Sequence, residues 1–219
     1  MFGSYGVWSK LIGSSFGVFY QGWSLALLIA IVLFPLLYYR KEIIGFKRKD
    51  LGWLALYLFC TSLTRAPLFY AFTHMDIGTA TLLFFVSMLL TMYAIGFLFL
   101  GEKLNLVKAA AFLIACIGLY TTFSFSIVAF TLLAALMAIL NGVMSGGEIS
   151  FSKKLTGTYS SLYLNWLSWV IIVITNGIAS VALGETQYLP APTLPWAYLL
   201  DMPLRVCSVS GSSSKDSSM

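Results

Sequence analysis

The sequence predicts an all-α protein, a polytopic bundle of membrane-crossing helices, and three observations carry that prediction. Of its 219 residues 59% are apolar and only 10% are charged, where a soluble domain carries about 25% charged residues. Mean hydropathy is +0.90. The apolar residues also come in blocks of membrane-crossing length: Gly22–Tyr39, Ile77–Leu100 and Leu155–Gly184 hold no charge, and Leu51–Phe72 holds one, Arg65. About 20 apolar residues in a helix span the hydrocarbon core. The short alternating strands of a membrane β-barrel are not visible in the sequence.

In chain order, a partial span ends near Lys10, and full spans follow near 22–39, 51–72 and 77–100. The uncharged run from Ala109 to Gly147 is 39 residues long. As one helix it would extend about 58 Å, roughly twice the hydrocarbon thickness, so it must fold back. Its hydroxyl-rich break is TTFSFS, Thr121–Ser126. Spans near 106–123 and 127–150 result, then one near 160–183, and an eighth starts near Leu194.

Charge sorts the loops by side. The loop 40–50 carries Arg40, Lys41, Lys47, Arg48 and Lys49, the loop 101–108 carries Lys103 and Lys108, and the loop 151–159 carries Lys153 and Lys154. The alternate loops, HMD (His74–Asp76), TTFSFS and LGETQYLPAPT, have no Lys or Arg. The positive-inside rule places the basic loops in the cytoplasm, with Lys10 the exception, and makes this a multi-pass protein of the inner (cytoplasmic) membrane. The net charge of +5 is therefore an orientation signal, and no nucleic-acid partner is expected. Trp8, Trp23, Trp53, Trp166 and Trp196 lie near span ends, as an interfacial belt does. Cys60, Cys116 and Cys207 show no paired spacing and read as small packing residues. His74 has no metal-ligating neighbours at useful spacing; no metal and no cofactor is expected.

The chain also matches itself. SKLIGSSFGVFYQGWS from Ser9 and KKLTGTYSSLYLNWLS from Lys153 share K-L-x-G-[ST], an amide (Gln21, Asn165) and a serine (Ser24, Ser168), at an offset of 144 residues. LGWLALYLF from Leu51 meets LPWAYLL from Leu194 at 143. Five spans separate the copies, so they enter the membrane in opposite orientations. On this reading residues 1–123 form a first repeat, short at its N-terminus, and 127–200 a partial second one. The final stretch, 201–219, contains seven serines and reads as a disordered or frameshifted tail. A lone monomer shortened in this way is not expected to transport.

The segment DIGTATLLFFVSMLLTMYAIGFLFLGEKLNLVKAAAFLIACIGLY, Asp76–Tyr120, resembles the core of an EamA domain of the drug/metabolite transporter superfamily. The resemblance rests on Gly78 and Ala80 at the start of span four, on the turn motif Gly101, Glu102, Lys103 and Leu104, and on Gly118. It covers roughly residues 5–200. It implies inverted five-helix repeats that move small metabolites by alternating access. One departure is plain: many members have a proline midway along span four, and Ile77–Leu100 has none. In the turn motif, Gly101 permits a tight turn, Glu102 suits a helix N-terminus and Lys103 suits the headgroups.

Ionisable residues inside spans are costly and mark function by default. Arg65 and Glu148 qualify. By helical rise they lie at different depths, which separates them as partners and points Arg65 toward Asp76 at the outer mouth. Asn141, Ser145, Glu148 and Ser152 follow i, i+4, i+7, i+11 spacing and share one helical face. Tyr57, Thr61 and Arg65 share a face of span three. Substrate-pathway candidates are thus Arg65, Asn141, Ser145, Glu148, Tyr57 and Thr61. The alternatives are interhelical hydrogen bonding for the stripe and snorkelling for Arg65 and for Glu148 beside Lys153. Gly142 and Gly146 form a GxxxG pair suited to close packing within the chain or between chains.

No catalytic residues are expected. An intramembrane enzyme needs paired aspartates, a Ser–His pair or HExxH at membrane depth; the predicted spans contain no Asp, and the single His lies in a loop. A retinal receptor needs a lysine deep in its last helix, and span 160–183 has none. The sequence therefore predicts a carrier of a small organic solute, with an inactive truncated membrane remnant of one as the alternative. Its expected partners are the lipid bilayer, an unknown small-molecule solute and, should the shortening be genuine, a second copy or a partner chain.

Overall fold

The computed structural model describes residues 16–101, 110, 113–114, 117–118 and 132–186. Its helices are α1 (Val18–Tyr39), α2 (Leu51–Ser62), α3 (Arg65–His74), α4 (Ile77–Leu100), α5 (Leu132–Leu155) and α6 (Ser161–Ala182). A 3-10 turn, Arg48–Asp50, leads into α2. With Arg48–His74 counted as one stretch, five segments among the described residues are long and apolar enough to cross a membrane. The expected spans 22–39, 77–100 and 160–183 correspond to α1, α4 and α6. The span expected at 127–150 ends later, because α5 keeps Lys153 and Lys154 in its last turn, where cations complement the helix dipole. Span 106–123 is helical at those of its residues that are described. The span before Lys10, the TTFSFS break, Glu102–Leu104 and everything from Gln187 onward lie outside the described residues.

Helix ends follow local chemistry. Asp76 accepts from the Thr79 backbone N–H at 3.1 Å and caps α4. Gly101 ends α4 in the left-handed region, φ 64°, a conformation that glycine adopts without a Cβ penalty. Ser160 accepts from Tyr163 N–H at 3.1 Å to cap α6, and its hydroxyl donates to Glu42 at 2.6 Å. Since Tyr159 Oη also accepts from Lys47 N–H at 2.9 Å, the two basic loops 40–50 and 151–159 meet at one end of the bundle. At the other end the cap of α1 comes from far along the chain. Glu185 accepts from the backbone N–H groups of Phe19 at 3.2 Å and Tyr20 at 2.7 Å.

The span expected to run straight through 51–72 is broken. α2 stops at Ser62, Leu63 leaves helical geometry (φ −100°, ψ 10°), and α3 starts at Arg65. Pro67 causes this: it has no N–H to give the Leu63 carbonyl, and its ring crowds that carbonyl. The chain tightens to compensate, with Leu63 N–H bonded to Cys60 O and Thr64 N–H to Thr61 O, each at 3.2 Å.

Packing follows membrane rules, in which close approach of small residues replaces the hydrophobic drive. α4 and α5 touch through Ala80 on one side and Ala134, Ala135 and Ala138 on the other. A Cβ on Gly142 would lie 2.9 Å from Met88 N, and one on Gly146 2.6 Å from Met88 O. The GxxxG pair therefore packs within the chain. α1 and α6 run antiparallel, since Glu185 meets the start of α1 and Trp166 Nε1 donates to Ala30 O at 3.2 Å. Trp166 thus bridges two helices. Tyr20, Leu25, Ile29 and Leu33 close on Trp169 and Ile172 in between. Outward-facing apolar side chains are well exposed, Leu98 and Val181 at 70% and Ile178 at 66%, as a lipid-facing surface requires.

Candidate functional site

The break between α2 and α3 opens a cavity of about 200 Å³. Thr64, Arg65 and Leu68 line it from the break, Phe84 and Met88 from α4, and Asn141, Ser145, Glu148 and Ile149 from α5. Met88 and Ser145 stand near the middle of helices that are each 24 residues long, so the cavity lies at mid-depth. That is where a broken helix places exposed backbone and half-helix ends in carriers.

Its polar groups are unevenly satisfied. Ser145 Oγ donates to Asn141 Oδ1 at 3.3 Å. Asn141 is 1% exposed, yet among the described residues its Nδ2 has no partner, and neither has the buried Nε of Arg65. A buried unsatisfied donor costs about 1–3 kcal/mol, more when charged, so such groups ask for an explanation. The Arg65 guanidinium lies 4.5 Å above the Trp169 ring of α6, a cation–π contact that holds the cation at the cavity wall.

The structure brings Arg65 and Glu148 to one cavity, in correction of the depth estimate that separated them. Glu148 is within electrostatic reach of Arg65 and beside the Thr61 hydroxyl. The reason is side-chain direction. Cα–Cβ bonds lean toward the N-terminus of their own helix. α3 and α5 run in opposite senses, so the Arg65 and Glu148 side chains lean toward each other. Asp76 is not the partner of Arg65; its carboxylate is spent on the α4 cap.

Of the residues singled out in the sequence, Arg65, Asn141, Ser145 and Glu148 line the cavity. Thr61 and Tyr57 stand behind it, buried. Thr61 Oγ1 bonds back to Tyr57 O at 2.8 Å, and Tyr57 Oη donates to Leu164 O at 3.0 Å, tying α2 to α6. Ser152 bonds to Ile149 O at 2.8 Å and does not line the cavity. Gly101 terminates α4 and does not line it either. Sequence reading missed Thr64, Phe84, Met88 and Trp169; the signal available for Thr64 was Pro67 three residues on.

A second, larger cavity of about 490 Å³ lies on the opposite side of the break. Leu63, Ala66, Pro67 and Tyr70 line it together with Val18 and Phe19 of α1 and Leu133, Met137 and Leu140 of α5. Its carboxylate, Glu185, is committed to the α1 cap and to Ser180 Oγ at 2.9 Å.

Among known proteins, the EamA-like transporter family model matches residues 1–124. No curated protein matches the chain, and no solved structure does.

Proposed function

This chain belongs to the EamA-like transporter family, and on that premise we propose that it moves a small organic metabolite across the cytoplasmic membrane by alternating access. The family consists of transporters, and the chain is a multi-pass membrane protein. The observation that carries the reading is the mid-depth cavity at a broken helix, walled by two buried donors that have no partner among the described residues. A solute supplies what those donors lack, and binding there is favoured over binding at a satisfied wall. Arg65, Asn141, Ser145 and Glu148 contact the solute; Tyr57 and Thr61 support them from behind.

The two inverted repeats, 1–123 and 127–200, are the moving bodies in this reading. Support comes from α1 and α6, which begin within the self-matching segments. They pack antiparallel, and their matched serines behave alike: Ser24 Oγ bonds to Tyr20 O and Ser168 Oγ to Asn165 O, each at 2.6 Å. Rocking of one against the other opens the cavity alternately to each side. The basic loops 40–50, 101–108 and 151–159 face the cytoplasm. The protein performs no covalent chemistry.

The test is solute flux into proteoliposomes across a series of protein-to-lipid ratios, with a panel of small labelled metabolites. Saturable flux above protein-free vesicles is expected for at least one compound at high protein-to-lipid ratios, with background flux from isolated monomers at low ones. Flux at the background rate for the whole panel, from folded protein, refutes transport and leaves a membrane-resident remnant.

A further inference from the structure

The loop 40–50, at the basic end of the bundle, has a fixed course along the membrane edge. α1 has 22 residues, about 33 Å by helical rise, enough to cross a hydrocarbon core of roughly 30 Å. The loop therefore leaves Tyr39 at the hydrocarbon boundary and returns to the bundle at Leu51, where α2 begins. A Schellman turn bends it away from the α1 axis: Lys41 N–H bonds to Tyr38 O at 3.1 Å and Glu42 N–H to Leu37 O at 3.4 Å. The left-handed position of that turn is Lys41, φ 52°, the only non-glycine residue with positive φ among the described residues. Glycine is the relaxed choice there, so the lysine side chain is held at a conformational cost. Three contacts then pin the loop. Ser160 Oγ donates to Glu42 at 2.6 Å, Lys47 N–H donates to Tyr159 Oη at 2.9 Å, and the Phe46 ring centroid lies 6.4 Å from that of Tyr163.

What this pinned loop presents is an apolar ridge between two groups of cations. Ile43, Ile44 and Phe46 are exposed, Ile43 at 51% and Phe46 at 53%. Arg40 and Lys41 flank the ridge on one side and Lys47, Arg48 and Lys49 on the other, all exposed. Lys153 and Lys154 end α5, just before the loop to which 40–50 is bonded. Against these seven cations the loops 40–50 and 151–159 set two carboxylates, Glu42 and Asp50, and Glu42 is already bonded to Ser160. We propose that this surface binds anionic phospholipids. Ile43, Ile44 and Phe46 enter the boundary between headgroups and acyl chains, and the flanking cations hold the phosphates. Charge complementarity selects the anionic headgroup, because a phosphate paired with choline has no net charge to offer seven cations. The ridge selects a lipid over a free phosphate ion, since exposed apolar side chains gain only from acyl chains.

Native mass spectrometry of the purified, delipidated full chain in detergent tests this, with phosphatidylglycerol and phosphatidylcholine of identical acyl chains at equal concentration. Bound phosphatidylglycerol should exceed bound phosphatidylcholine by about tenfold or more, and glycerol 1-phosphate, a headgroup without chains, should not compete. The triple substitution Lys47→Gln, Arg48→Gln and Lys49→Gln should reduce the preference to about twofold or less. Ile43→Ser with Phe46→Ser should instead weaken the binding of both lipids. Equal binding of the two lipids by the wild-type chain, competition by glycerol 1-phosphate, or an undiminished preference in the triple variant overturns the proposal. A second measurement serves where a variant fails to fold. Ile44→Cys, in a background with Cys60, Cys116 and Cys207 replaced, takes an environment-sensitive fluorophore and is reconstituted into phosphatidylglycerol vesicles. Emission shifted to the wavelengths of a lipid environment is expected; emission as in water overturns the proposal. Neither readout depends on flux, so the lipid surface and transport stand or fall separately.

Discussion

Two cavities flank the break in the second described span, and they differ in nearly every respect. The larger, about 490 Å³, has apolar walls, and its carboxylate, Glu185, already holds backbone N–H groups. The smaller, about 200 Å³, carries a cation, a carboxylate, an amide and two hydroxyls. Volume alone would choose the first. Unmet hydrogen bonding chooses the second, because a buried donor without a partner is a standing cost that a solute relieves. An apolar hollow in a membrane protein carries no such cost, since lipid tails fill it as readily as side chains do.

The sharpest way to break this contrast is Arg65→Ala. Flux should fall by about tenfold to a hundredfold, the scale of a lost hydrogen bond to a charged group, while the amount inserted in the membrane stays the same. Unchanged flux with unchanged insertion would return Arg65 to the role of anchor. Asn141→Leu separates function from stability. Removing an orphan donor should make the protein more stable by about 1 kcal/mol, read as a rise in melting temperature, while solute binding weakens by about tenfold. A loss of both would mean that the amide is structural. Glu185→Gln acts on the other cavity. It removes the charge at the α1 N-terminus and should cost about 1 kcal/mol of stability, seen in the melting temperature, with flux kept. Smallest of all, Met137→Phe extends a ring into the apolar cavity and should change flux by less than about twofold. A collapse of flux there would identify the apolar cavity as the solute path.

Length and charge made the helices legible. Ile77–Leu100 matches α4 residue for residue because a charge-free block ends at a glycine that must turn. The face shared by Asn141, Ser145 and Glu148 was legible too, since 3.6-residue periodicity needs no tertiary information. The break at Leu63–Thr64 was written in Pro67 but masked by an otherwise unbroken apolar run. The meeting of Arg65 with Glu148 was hidden for a different reason. Depth along an axis follows from rise per residue, whereas the lean of two side chains on antiparallel helices follows from direction and takes more than a ruler. The Glu185 cap and the stacking of Arg65 on Trp169 join residues far apart in the chain, and no local pattern announces such contacts.

Alternating access requires that the mid-depth cavity open in turn to the two sides of the membrane. Ser145→Cys, in a background with Cys60, Cys116 and Cys207 replaced, tests it through labelling by a membrane-impermeant thiol reagent applied to one side at a time. The introduced thiol should be modified from either side, and solute should slow both reactions. Modification from one side only, or from neither, would contradict it.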